Sequence, residues 1–160
     1  YPDERLHRVA QPVTRVDEKI RQIIKDMAET MYAAPGIGLA ATQVDIALRI
    51  IVIDSSPSHD QLLTLINPQL ISQSGVSEFE EGCLSVPGMR GLVPRFLKLR
   101  YQGFDETGKK IDRAVSDFHA RVVQHECDHL AGILYPMRIR DLRNFGFTAE
   151  LFPDEEIADE

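Results

Sequence analysis

The residues with the most chemical meaning are two histidines four positions apart, His125 and His129, in the stretch QHECDHL, with Glu126 directly after the first. On an α-helix, positions i and i+4 lie about 40° apart around the axis, so both imidazoles project the same way and can chelate one ion. Glu126 stands about 100° from His125 and can lean over a water in an open coordination position. Two imidazoles for a metal and one carboxylate for a proton are what water activation requires. The bland alternative makes the same residues partly buried helix positions with a solvated glutamate.

Catalytic zinc-type sites typically take three protein ligands, so a third donor has to come from elsewhere in the chain. No histidine follows His129, and the first glutamate after it is Glu150. Upstream stands EGCLSVP, where Cys83 follows Gly82 and precedes an extended Leu84-Ser85-Val86. A thiolate there is a good soft ligand. A free cysteine is more often a small buried hydrophobe, and it is the missing third ligand that turns the balance. Cys127 lies inside the motif but about 200° from His125 around the helix, so it reads as core. A third stretch, PGIGLAATQ over residues 35–43, reads by itself as a turn. It lacks the strand–loop–helix setting of a phosphate loop. It does offer a small-residue backbone able to approach a ligand closely, with Gln43 carrying an amide donor.

These side chains need elements to hold them. In residues 17–34, Ile20, Ile23, Ile24, Met27 and Met31 recur at helical spacing behind an acidic start, and Pro35 and Gly36 stop the helix. Strand-type runs follow at residues 48–53, 62–66, 76–79 and 97–101, and a turn at Glu106–Gly108 leads to another at 110–115. A second helix is predicted over 117–131, with Ser116 as N-cap and Gly132 as its stop. Helix, many strands, helix is the order of an α+β fold: mainly antiparallel or mixed sheets around a central helix carrying the H-E-x-x-H motif.

The chain has 160 residues, 43% of them hydrophobic and 27% charged, which fits one domain able to bury a core. A net charge of −7 argues against specific nucleic-acid binding and against an anionic membrane surface. No apolar run approaches the roughly 18–20 residues that span a bilayer, and the opening does not read as a signal peptide. The absence of an initiator methionine leaves a few leading residues to be expected before Tyr1. Two cysteines do not make a secreted disulfide framework, so a reducing cytoplasm is the expected compartment.

GIGLAATQ, EGCLS and HECDHL, in this order, resemble the three signature motifs of bacterial peptide deformylases. The opening YPDERLHRVAQPV and INPQL resemble that family as well, and the resemblance runs over residues 1–135. It implies a single catalytic domain over residues 1–160 and one divalent metal on Cys83, His125 and His129. That metal would be Fe(II) in cells, with zinc, nickel or cobalt as substitutes. It implies that Glu126 takes a proton from the attacking water and hands one to the leaving amine. Gln43 and the Leu84 N–H would stabilise the oxyanion as the formyl group leaves an N-formylmethionyl nascent peptide. Ile37, Gly38, Glu81, Gly82, Phe118 and Val122 match family positions around the methionine pocket or along the peptide, and Arg90 meets the peptide further on. Some members end in a basic helix proposed to dock on the ribosome. Here residues 144–160 form an acidic tail with no Lys or Arg, so any transient ribosome association would not run through it. The tail is expected to be disordered or to fold back on the domain.

Two rival functions fit parts of the same pattern. An H-E-x-x-H metalloprotease would cut internal peptide bonds, whereas a small site near residues 36–38 favours a terminal group. A structural metal module would close its site with four protein ligands and would leave Glu126 without a role.

Overall fold

The computed structural model describes residues 3–141, 143 and 145–147. Helix α1 spans Glu18–Ala33, and Asp17 caps it by accepting from the Ile20 N–H. Its apolar stripe buries Ile20, Ile24, Met27 and Met31 as the spacing predicts. The chain turns at Pro35, where the Gly36 N–H donates back to the Met31 carbonyl at 2.7 Å.

The strands are β1 (Gly38–Ala40), β2 (Ile50–Ile53), β3 (Leu63–Cys83), β4 (Val86–Phe104), β5 (Lys110–Ser116) and β6 (Phe145–Phe147). They form one antiparallel sheet in the order β1-β2-β3-β4-β5, with β6 on β4. Helix α2 spans Asp117–Leu130 and packs against one face of the sheet. β2 reads Ile-Ile-Val-Ile because both its faces are covered. Ile51 and Ile53 pack with Val122, Val123 and Leu130 of α2, while Ile50 and Val52 pack with Met27 and Met31 of α1. Each fully buried aliphatic side chain stabilises the fold by roughly 1.5–3 kcal/mol.

Two features differ from the sequence reading. The runs at 62–66, 76–79 and 97–101 belong to much longer strands, 21 residues in β3 and 19 in β4. Pro68 falls in the register shift between Ile66 and Gln69, which lets the ladder continue past it, while Pro94 pairs with Glu78 in unbroken register. Residues 35–43 are also more than a turn: β1 is followed by a 3-10 turn, Ala41–Val44, that presents Gln43.

α2 ends where the sequence placed its end. Gly132 has φ +77°, and the N–H groups of Gly132 and Ile133 donate to the His129 and Asp128 carbonyls, a Schellman stop. A Cβ on Gly132 would stand 2.4 Å from the His7 carbonyl oxygen, so only glycine lets the N-terminal segment pass this close. Phe145–Phe147, expected within a tail, instead pair with Met89–Gly91 of β4; residues 148–160 lie outside the described residues. No helix among the described residues is long and apolar enough to cross a membrane.

Candidate active site

One stripe of α2 carries Phe118, Arg121, Val122, His125 and His129 toward the end of the β3–β4 hairpin. There β3 terminates at Cys83 after a register shift between Glu81 and Cys83, and Leu84-Ser85 turn the chain into β4. Such a shift re-aims a strand's last side chains. Cys83, His125 and His129 are all buried, and one ligand atom from each lies within 4.8 Å of the others. His125 Nε2 and His129 Nε2 are 3.3 Å apart, and Cys83 Sγ is 3.4 Å from His129 Nε2. Tetrahedral bonds of about 2.0–2.1 Å to nitrogen and 2.3 Å to sulfur separate their ligand atoms by about 3.3 and 3.5 Å. The donor set therefore fits one small divalent ion. Cys127 stays outside the cluster, and burial pushes its thiol pKa up to about 12.

The imidazoles do not stand alone. The His125 Nδ1–H faces Glu81 Oε1 at 2.8 Å, which turns the Nε2 lone pair toward the cluster. Glu81 is fully buried, and Arg95 grips both its oxygens at 3.0 Å while Arg121 donates to one at 2.8 Å. Burial alone would raise the carboxyl pKa, but the bond from His125 and the charge of Arg95 hold it well below the usual range. The two imidazoles are driven apart. Burial opposes charge on both, yet the bonds to Cys83 and Glu81 raise His125, whereas His129 is lowered by burial and by His125 beside it. On the other side, the Thr42 hydroxyl donates to the His129 carbonyl at 3.1 Å and ties the Gln43 turn to the helix.

Glu126 is 2% exposed, with Oε1 3.8 Å from His125 Nε2. β1 runs directly over its carboxyl group: a Cβ on Gly38 would lie 2.9 Å from Glu126 Cδ. A side chain at position 38 would push the Glu126 carboxyl group aside. Gln43 Oε1 accepts from the Ala40 N–H at 2.9 Å, and its Nε2 donates to Ser85 Oγ at 3.0 Å and lies 3.6 Å from Cys83 Sγ. Leu84 follows Cys83 in the turn. Thus Cys83, Leu84, Gln43, Gly38, Glu126, His125 and His129 meet at one place.

The expected substrate contacts divide. Ile37 packs against the cluster that contains Val122, and Gly82 is buried next to Cys83. Phe118 is 46% exposed and lines a cavity of about 330 Å³ with Phe79, Phe96 and Arg121. Glu81 differs from the expectation: both its oxygens serve His125 and two arginines, so it backs the cluster instead of facing a peptide. Arg90 sits in β4 opposite Gly146 of β6, with Nε 3.9 Å from Glu80. Arg95, Arg121, Phe79 and Ser85 carried no signal in the sequence beyond their place beside the motifs.

Residues 1–145 match the family model for polypeptide deformylase. The chain belongs to the polypeptide deformylase family. It is an enzyme that removes the formyl group from the N-terminal formylmethionine of new polypeptides, and its family is metal-dependent. It is 51% identical to peptide deformylase 1 of Nitrosomonas europaea, over 94% of this chain and 92% of that one. Among solved structures it resembles a peptide deformylase from Legionella pneumophila, at 40% identity and a TM-score of 0.85, covering 89% and 85% of the two chains. A deformylase from Synechococcus elongatus in complex with actinonin aligns at 39% identity and a TM-score of 0.84, over 89% of this chain and 78% of that one.

Proposed function

We propose that Cys83, His125 and His129 hold one divalent ion and that Glu126, Gln43 and the Leu84 N–H carry out deformylation around it. The convergence of one sulfur and two nitrogens beneath a buried carboxylate supports this reading most strongly. When bound, the ion supplies a Lewis acid that lowers the pKa of water toward neutrality. Glu126 takes the proton from the attacking water and returns it to the leaving amine, work that typically contributes about 10²–10⁴-fold. Gln43 Nε2 and the Leu84 N–H donate to the formyl oxygen as it gains charge, each donor being worth about 3–4 kcal/mol in other enzymes. Glu81 keeps His125 in the ligating tautomer.

Ile37, Val122 and Phe118 receive the methionine side chain, with Gly38 and Gly82 along the peptide and Arg90 further on. The native ion in this reading is Fe(II), exchangeable for zinc, nickel or cobalt, because a thiolate and two imidazoles suit several borderline metals. The enzyme works as one domain in the cytoplasm on nascent chains, and its acidic tail is not a ribosome anchor.

The test compares kcat/KM for formyl-Met-Ala-Ser, acetyl-Met-Ala-Ser and formyl-Val-Ala-Ser by release of the acyl group. The acetyl methyl points toward the Gly38–Leu39 backbone, and a misplacement of about 1 Å can reduce the rate around 10²-fold. Formyl-Met should exceed both others. Equal values for formyl and acetyl would make the site a broader amidase.

A further inference from the structure

The carboxamide of Gln43 makes three hydrogen bonds, and only the one to the Ala40 N–H belongs to its own turn. The Ala40 N–H donates to Oε1 at 2.9 Å, which decides the amide's orientation, since a flipped amide would set N–H against N–H. Nε2 must then face the hairpin turn after Cys83, where it donates to Ser85 Oγ at 3.0 Å. A primary amide carries two N–H groups about 120° apart in one plane. With one committed to Ser85, the other donates to Cys83 Sγ, 3.6 Å from Nε2, a long bond to sulfur that a substrate oxygen can replace.

We propose that Ser85 is a positioning residue for deformylation: its hydroxyl fixes the plane of the Gln43 amide so that the second N–H meets the formyl oxygen. Bonding at Oε1 alone leaves the amide plane free to rock about its last torsion. A bond at Nε2 removes that freedom, because two anchors at opposite ends of a planar group define its plane. Ser85 also stands two residues after Cys83, so the donor is referenced to the strand end that supplies a metal ligand. A donor aimed before the reaction needs no reorganisation as charge develops. This inference rests on Gln43 acting as an oxyanion donor.

The experiment measures kcat, KM and metal content on metal-loaded wild type, Ser85→Ala, Ser85→Thr, Gln43→Ala and the Gln43→Ala/Ser85→Ala double variant, with formyl-Met-Ala-Ser. Loss of aim should lower the kcat of Ser85→Ala about tenfold while KM stays within about twofold and the metal is kept. Threonine, which retains the hydroxyl, should restore kcat to within about threefold. In the Gln43→Ala background, removing Ser85 should change nothing further, because residues that act through one another are non-additive. Full activity in Ser85→Ala alongside an impaired Gln43→Ala would overturn the role of Ser85 and leave that of Gln43 standing. So would a Ser85→Ala loss that persists in the Gln43→Ala background, or one that tracks lost metal. Full activity in Gln43→Ala would overturn both readings.

Discussion

The two helices are similar in length, 16 residues in α1 and 14 in α2, yet they bury opposite kinds of side chain. α1 hides Ile20, Ile24, Met27 and Met31 and leaves its charges in solvent. α2 hides Arg121, Gln124, His125, Glu126 and His129 together with its alanine and valines. Apolar burial needs only a complementary surface, and its contribution scales with area. Buried polar groups each need a partner, or their desolvation is uncompensated. α2 meets that demand from two strands, β3 and β4: Gln124 exchanges bonds with the Phe96 backbone, Arg121 reaches Ser77, Glu81 and the Val93 carbonyl, and His125 reaches Glu81. α1 therefore contributes through apolar packing, whereas the buried polar groups of α2 set the position of reacting atoms.

The largest expected effect of breaking this contrast is at Glu126. Glu126→Ala should keep its metal and turn over about 10²–10⁴-fold more slowly, because the carboxylate moves protons and does not ligate. Formate release and elemental analysis on the same preparation test this, and a variant within tenfold of wild type would remove Glu126 from the mechanism.

Glu81→Ala comes next and should affect both properties at once. Removing Glu81 leaves Arg121 without a carboxylate and Arg95 with Asp128 alone, and breaking a buried ionic group this way typically destabilises by about 3–5 kcal/mol. Loss of the carboxylate behind His125 should also weaken metal binding about 10–100-fold. Urea unfolding and competition with a chelator measure the two separately; a variant that loses stability but holds metal as wild type would uncouple Glu81 from His125.

On α1, Met27→Ala should give a stability loss of about 2–5 kcal/mol through the cavity left behind. Its metal content and kcat should stay within about twofold of wild type at temperatures where it remains folded. A kcat change well beyond that, in folded protein, would show that α1 also positions the reaction.

The same contrast explains what the sequence made legible. α1 could be read from period alone, since apolar residues at 3.6-residue spacing have one use. The metal pair on α2 could be read because His-Glu-x-x-His combines spacing with chemistry, and Cys83 because a third donor had to exist. Glu81 is reached only through the family resemblance, which sets it at the substrate; its burial behind His125 depends on arginines 14 and 40 residues away in the chain. The long hairpin was hidden for a related reason. Prolines and polar residues signal interruption locally, while pairing across β3 and β4 is settled by the partner strand and absorbed by register shifts. Ser85 reads as a turn residue until Gln43, far upstream, is placed beside it.

The smallest expected perturbation sits next to the largest on the helix. Cys127→Ala should lower stability by about 1 kcal/mol. Compared with Cys83→Ala, it gives the most direct test of the site. Metal content per chain, measured by elemental analysis on anaerobically purified protein, should be about one ion in wild type and in Cys127→Ala, and should fall close to zero in Cys83→Ala. Equal loss in both cysteine variants, or loss from Cys127→Ala alone, would contradict the assignment of Cys83, His125 and His129 as the ligands.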